Sequence, residues 1–302
     1  MTSIPFVRDF DFEYGRCDQL SPLIRRVVAQ NPGPFTYTGT GVYIIGTDDV
    51  AVIDPGPVQD DHIAALDKAL EGQRVTHVFV THHHLDHSPM AHPLAKKHGA
   101  KVYGFGPQNI APTGGEVRLE AGDDVGFQPD VQINDEQVFS GSNWSIRALH
   151  TPGHTSNHVC YALEEENTLF CGDHVMAWST SVISPPDGSM GDYLRELARI
   201  RDNGYDRLWP THGPAVETPS EFIQAYIDHR LQREEQILVR LRAGQENIRD
   251  MVSVMYADVD KRLHPAAAHS VLAHMIHLVE TNRVICDGAA DLQARYSLPV
   301  PA

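Results

Sequence analysis

His82-His83-His84-Leu85-Asp86-His87 restricts what this chain can become more than any other stretch. In the frame His-x-His-x-Asp-His it supplies three imidazoles and one carboxylate. These are nitrogen and oxygen donors that Zn²⁺ prefers and that iron and manganese also accept. The preceding residues Val75-Thr76-His77-Val78-Phe79-Val80 form a β-branched, apolar run that reads as a buried strand. The cluster therefore sits where a strand runs out, held by a rigid element on one side and open on the other. A solvated histidine loop is the competing reading, and the test is whether more donors lie at strand ends.

Three more do. Trp144-Ser145-Ile146-Arg147-Ala148-Leu149 alternates like a strand and runs into His150-Thr151-Pro152-Gly153-His154-Thr155. Thr168-Leu169-Phe170-Cys171 ends in Gly172-Asp173-His174, and Arg207-Leu208-Trp209-Pro210 ends in Thr211-His212-Gly213. Each has a small or turn-forming residue beside the donor, which allows close backbone approach. Strands and helices alternate up to residue 218, with amphipathic helices expected at about 60–71, 89–99 and 190–202. The pattern is that of an α/β chain with a built metal site.

The chain resembles the metallo-β-lactamase superfamily over roughly residues 35–220. The resemblance rests on Ala51-Val52-Ile53-Asp54-Pro55-Gly56, Thr81 through His87, Thr151-Pro152-Gly153-His154-Thr155, Gly172-Asp173 and Thr211-His212-Gly213. It implies an αββα sandwich and two divalent ions, with zinc the first choice and manganese or iron as alternatives. One ion would take His82, His84 and His154, the other Asp86, His87 and His212, with Asp173 bridging them. Asp86 and Asp173 would be the catalytic carboxylates, and a hydroxide shared by the ions would attack a carbonyl carbon or phosphorus. His83 should point away from the ligands, and Asp54 should support the ligand loop through hydrogen bonds. Met176 to Tyr193 should form much of the pocket wall, with His158, His174, Trp178 and Tyr193 as candidate substrate contacts, and His158 and His174 alternatively as residues that orient a ligand. His92, His98 and His229 carry no motif and read as helix-surface residues.

After residue 218 the pattern changes. A helix capped by Thr218 or Ser220 should run to about Arg242, followed by helices over Ile248–Tyr256 and Pro265–Thr281. Two short strands around Asp287-Gly288 complete a winged-helix-like module, so the expected division is 1–220 catalytic and 221–302 C-terminal. His229-Arg230-Leu231-x-Arg233-Glu234-Glu235 and Ala273-His274-Met275-x-x-Leu278 are similar to the superfamily branch that contains the lactamase-beta-like endoribonucleases. That branch commonly has Asn-Thr where this chain has Gly41-Val42, a change expected in a loop near the metals.

Composition bears on the substrate. The net charge is −16, and residues 228–302 hold 9 of the 24 basic and 10 of the 40 acidic residues, so the acidic excess lies in the catalytic part. Such a surface does not suit a general nucleic-acid binder. Arg230, Arg233, Arg240 and Arg242 could make a basic strip, but Glu234 and Glu235 interrupt it, so a salt-bridged, solvated face is expected. Glyoxalase-II-type thioesterases carry an arginine-containing stretch where this chain has Val175 to Val182, without a cation. Acyl-homoserine lactonases place Tyr where Met176 stands. An ester, thioester, lactone or lactam carbonyl of a small acyl substrate is favoured. RNA phosphodiester cleavage is the enzymatic rival, and a protein-docking role for the C-terminal module is an alternative of another class. Homo-oligomerisation stays open. The segment Met1–Asp9 lacks a signal-peptide layout, no membrane-length apolar run occurs, and Cys17, Cys160, Cys171 and Cys286 are scattered, which points to the cytoplasm.

Overall fold

The computed structural model describes residues 3–107 and 122–300. Seven strands form one sheet in chain order: β1 (Cys17–Gln19), β2 (Ile24–Val28), β3 (Gly41–Ile45), β4 (Asp49–Ile53), β5 (Arg74–Phe79), β6 (Lys101–Gly104) and β7 (Val131–Gln132). Pairing is antiparallel as far as β4 and parallel from β4 to β7. Helices α1 (Asp60–Ala69) and α2 (Ala91–His98) make the crossovers on either side of β5. The second sheet contains β8 (Val138–Ser140), β9 (Ser145–His150), β10 (Val159–Leu163), β11 (Thr168–Gly172) and β12 (Arg207–Pro210), in the spatial order β12-β11-β10-β9-β8. Only β11 and β12 pair in parallel there, joined through α3 (Met190–Asn203).

Side-chain alternation turns two sheets into four layers. On β3 and β4, Tyr43, Ile45, Ala51 and Ile53 face the other sheet, where they meet Tyr161, Phe170 and Trp209. Their neighbours Val42, Ile44, Val50 and Val52 point outward onto Leu66 of α1 and Leu94 of α2. On β10 and β11, Cys160, Ala162, Leu169 and Cys171 point outward onto Leu197 of α3 and onto Phe222 and Tyr226 of a fourth helix, α4 (Pro219–Arg242). The result is the αββα sandwich that the resemblance implied. All four donor-bearing loops leave the carboxyl ends of β5, β9, β11 and β12, so the layers deliver them to one edge.

Helix α4 connects this sandwich to the C-terminal elements. It begins on Pro219, whose fixed φ and missing N–H suit the first turn, and the Thr218 hydroxyl makes no capping bond. Its first half lies in the core shared with α3, whereas Ile237, Leu238 and Leu241 enter a separate core. That core includes α5 (Ile248–Met255), α6 (His264–Glu280) and the antiparallel pair β13 (Ile285–Cys286) and β14 (Tyr296–Ser297). Among the described residues no helix is long and apolar enough to cross a membrane.

The charged residues of α4 do not form the solvated face expected from the sequence. Arg242 pairs with Glu235 at the surface at 2.7 Å, but Glu234 is fully buried. It accepts from His277 Nδ1 at 2.7 Å and from Arg283 Nη1 at 2.5 Å, fastening α6 and the chain after it to α4. Burial pushes the Glu234 carboxyl up, but the imidazoles of His274 and His277 outweigh burial and hold it at about 2. This folded value lies below the ordinary 4.5. The stabilisation is therefore present above pH 4.5 and is lost as pH falls through about 2. His277, raised by Glu234, works in the opposite sense: its share is present below its ordinary 6.5 and is lost as pH rises through the folded value. Glu234→Gln should cost about 3 kcal/mol near pH 6, read as a lower thermal midpoint. The gap to the parent should narrow on acidification, and equal midpoints at pH 6 would contradict the assignment.

Candidate metal centre

Asp54 follows β4 with a left-handed φ of 48°, a conformation that Asp tolerates better than most residues. Its carboxylate is fully buried and accepts four hydrogen bonds. Oδ1 takes the Thr81 amide at 2.8 Å; Oδ2 takes the Thr81 hydroxyl at 2.8 Å, the Thr211 hydroxyl at 2.9 Å and His87 Nδ1 at 2.8 Å. Donation from Nδ1 fixes the His87 tautomer and leaves Nε2 as the free donor atom. Two other imidazoles are oriented in the same way. His154 Nδ1 donates to the Val182 carbonyl at 2.7 Å and His212 Nδ1 to the Gly39 carbonyl at 3.1 Å.

The structure brings together all seven residues expected to be ligands. Donor atoms of His82, His84 and His154 lie within 4.8 Å of one another, as do those of Asp86, His87 and His212. Asp173 lies between the groups. Its Oδ1 is 3.4 Å from His212 Nε2 and 3.7 Å from His87 Nε2, and its Oδ2 is 3.9 Å from His154 Nε2. Asp86 Oδ1, His87 Nε2, Asp173 Oδ1 and His212 Nε2 are buried yet make no hydrogen bond of acceptable geometry. Buried polar atoms left this way are costly unless something else satisfies them. A divalent cation fits both the convergence of these atoms and their nitrogen-and-oxygen chemistry.

The electrostatics agree with a cation site. Burial raises the Asp86 carboxyl, but His87 and His212 outweigh it and bring it to about 2. Burial lowers His212, yet Asp173 and Asp86 lift it to about 10. His82, surrounded by other imidazoles, is driven well below its ordinary value by burial and their repulsion. The Asp86, His87 and His212 group thus holds protons that a cation would displace, and His82 offers a neutral imidazole.

Residues around the donors serve to position them. The ring of His158 is fully buried; its Nδ1 meets the Thr151 hydroxyl at 2.9 Å and its Nε2 accepts the Asp173 amide at 3.2 Å. Gly172, just before Asp173, has φ 52°, and a Cβ there would stand 2.5 Å from His158 Nε2. His83 points away, with Nδ1 3.0 Å from Asn157 Oδ1. Its Nε2 lies 3.4 Å from Asp123, which forms with His83 and His84 a further donor group that the sequence reading did not include. Gly41 opens β3 and its amide bonds the Thr211 carbonyl at 2.7 Å, one residue from His212. The Val42 side chain faces the outer helical layer, so position 42 puts nothing into the site.

A cavity of about 580 Å³ opens above the donors, with His84, Asp86, His154 and Asp173 in its floor. Met176 and residues 178–184 form one wall, which is the first half of the pocket segment expected from the sequence; residues 185–193 do not line the cavity. Trp178 lies in that wall, stacked on Tyr37 with ring centres 4.9 Å apart. His158, His174 and Tyr193 do not line the cavity. They are buried behind it, and the Tyr193 hydroxyl donates to the His174 carbonyl at 2.7 Å. His229 does line the cavity, on the wall supplied by α4 and α6, contrary to the helix-surface position that its sequence context suggests. Asp54→Asn, which cannot accept all four bonds, should weaken divalent-ion binding about 10- to 100-fold in competition with a chromophoric chelator. Parental affinity would remove Asp54 from the support of the centre.

Comparison with known proteins identifies the family. The profile of the metallo-beta-lactamase superfamily matches residues 37–212, and that of the beta-lactamase associated winged helix domain matches residues 248–291. The beta-lactamase-like protein 2 homolog of Drosophila melanogaster is 33% identical over 296 residues, covering 94% of this chain and 97% of its own. An atrochrysone carboxyl ACP thioesterase of Aspergillus chevalieri is 31% identical over 257 residues, 84% of this chain and 77% of its own. Among solved structures, a beta-lactamase domain protein from Burkholderia ambifaria superposes with a TM-score of 0.79 at 19% identity over 97% of both chains, a likeness of fold. The chain belongs to the metallo-beta-lactamase superfamily and is a hydrolase of that superfamily with its associated winged helix domain.

Proposed function

We propose that this hydrolase uses two divalent ions, zinc by preference, to cleave the thioester of a small acyl substrate. His82, His84 and His154 would hold one ion, and Asp86, His87 and His212 the other, with Asp173 shared. The observation that carries this reading is the pair of buried donor groups joined by one carboxylate at the floor of a cavity. Cations bound there would polarise the acyl oxygen and bring the pKa of the attacking water toward neutrality.

The chain's own residues supply the rest. Asp86 and Asp173, both ionised, accept hydrogen bonds from the attacking water and orient it toward the acyl carbon. His158 holds the Asp173 backbone, and Asp54 holds His87 and the loops on either side of it. Oxygen adds to the carbonyl carbon, the C–S bond breaks, and the products are a carboxylate, a thiol and one proton.

Cavity size favours a small acyl compound over RNA. The cavity volume of about 580 Å³ falls in the range of small-ligand pockets, whereas a nucleic-acid strand needs an extended basic groove. The name of the Aspergillus chevalieri relative supports a thioester in particular. Cys17, Cys160, Cys171 and Cys286 are all free thiols, which suits a reducing cytoplasm.

Release of thiol from a butyryl thioester of N-acetylcysteamine, followed with a thiol-reactive dye, tests the proposal. The metal-loaded parent should turn over, and Asp173→Ala should lose about a thousandfold in kcat. Near-parental turnover by the variant, or cleavage of end-labelled RNA without thioester hydrolysis, would overturn it.

A further inference from the structure

Arginines in this acidic chain mostly sit beside carboxylates: Arg16, Arg74, Arg147 and Arg199, for example, each have an acidic side chain within 4 Å. Arg8, Arg230 and Arg233 are different. All three line the cavity over the metal centre, and among the described residues none has a carboxylate partner. Among the described residues, the acidic side chains in the cavity lining are Asp86 and Asp173, both already assigned to the centre.

Arg230 is the most constrained of the three. Only 4% of it is exposed, and its charge is met by the Ser181 carbonyl, which accepts from Nη2 at 2.5 Å, and by the Tyr193 ring 5.4 Å away. Its Nε is buried with no hydrogen-bond partner. Arg233 donates to the Gln236 side-chain oxygen at 2.9 Å and lies over the Tyr256 ring at 5.1 Å, again without an acid. Two imidazole atoms on the same lining, His229 Nδ1 and His269 Nδ1, are likewise buried without partners. A cluster of cations and unsatisfied polar atoms in an acidic protein is costly unless an anion completes it.

We infer that Arg8, Arg230 and Arg233 form a subsite for a negatively charged group that the acyl thioester carries away from its scissile carbonyl. This rests on the thioesterase reading above and specifies its substrate. The cationic residues come from α4 and the N-terminal segment, whereas the metal donors come from the strand ends, so the two ends of the substrate meet different walls. A carboxylate on the acyl portion and a phosphate on the thiol portion present the same chemistry to guanidinium groups. The C-terminal elements thereby select substrate rather than merely cover the site.

Two matched pairs of thioesters separate the sources. One pair is glutaryl-N-acetylcysteamine and its methyl ester; the other is butyryl-pantetheine with and without its 4′-phosphate. The parent should favour the charged member of one pair by about 10- to 100-fold in kcat/KM, expressed mainly in KM. Arg233→Gln and Arg8→Gln should each shrink that ratio, and Arg233→Lys should restore part of it. Calorimetry with the corresponding unreactive thioethers gives the same comparison without turnover. Tighter binding of a charged thioether with no hydrolysis of any thioester would keep the subsite and reject the thioesterase reading. Equal treatment of charged and neutral members in both assays, or a ratio unchanged in both glutamine variants, would overturn the subsite.

Discussion

The Asp54 carboxylate ties three strand ends together, and the placement of the metal donors depends on it. One oxygen receives the Thr81 amide, and the other receives hydroxyls from Thr81 and Thr211 and the His87 ring. Thr81 precedes the His82–His87 cluster on the first sheet, and Thr211 precedes His212 on the second. One buried charge thus sets the relative position of both sheets where the donors emerge. A charge with no exposure is tolerable only when its lone pairs are filled, and here they are.

A second chain of constraints fixes Asp173 from behind. The Thr151 hydroxyl meets His158, His158 accepts the Asp173 amide, and Gly172 leaves no side chain to displace the His158 ring. His87 and Asp173 therefore each rest on a side chain, Asp54 and His158, that does not line the cavity. The outer wall has a different origin. Helix α4 packs one half against the sandwich and the other against α5 and α6, so the C-terminal core is held where α4 and α6 can line the cavity. Buried Glu234, bonded to His277 and Arg283, locks that arrangement.

What could be read from the sequence follows from locality. Strand alternation, turn residues and donors a few positions beyond a strand are short-range signals, so four donor-bearing strand ends are legible in the residues, whereas the αββα layers and the grouping of the seven ligands are implied by the resemblance those motifs carry. The direction of a helix face between two cores was not. On α4 the pattern Arg230, Arg233, Glu234, Glu235 reads as a mixed surface, yet packing against α6 buries Glu234 and turns Arg230 and Arg233 toward the cavity. The three-residue spacing of those arginines, with His229 beside them, was the available hint. Proximity in sequence is ambiguous: His158, His174 and Tyr193 lie close to donor loops but fall behind the cavity face, so none contacts substrate, whereas the alternative of orienting a ligand holds for His158 through the Asp173 amide.

Anomalous X-ray diffraction at the zinc edge from crystals of zinc-loaded protein tests the central claim most directly. The account predicts two peaks in each molecule, one among His82, His84 and His154 and the other among Asp86, His87 and His212, with Asp173 reaching both. A lone peak at His83, His84 and Asp123, or none among the seven donors, would contradict it.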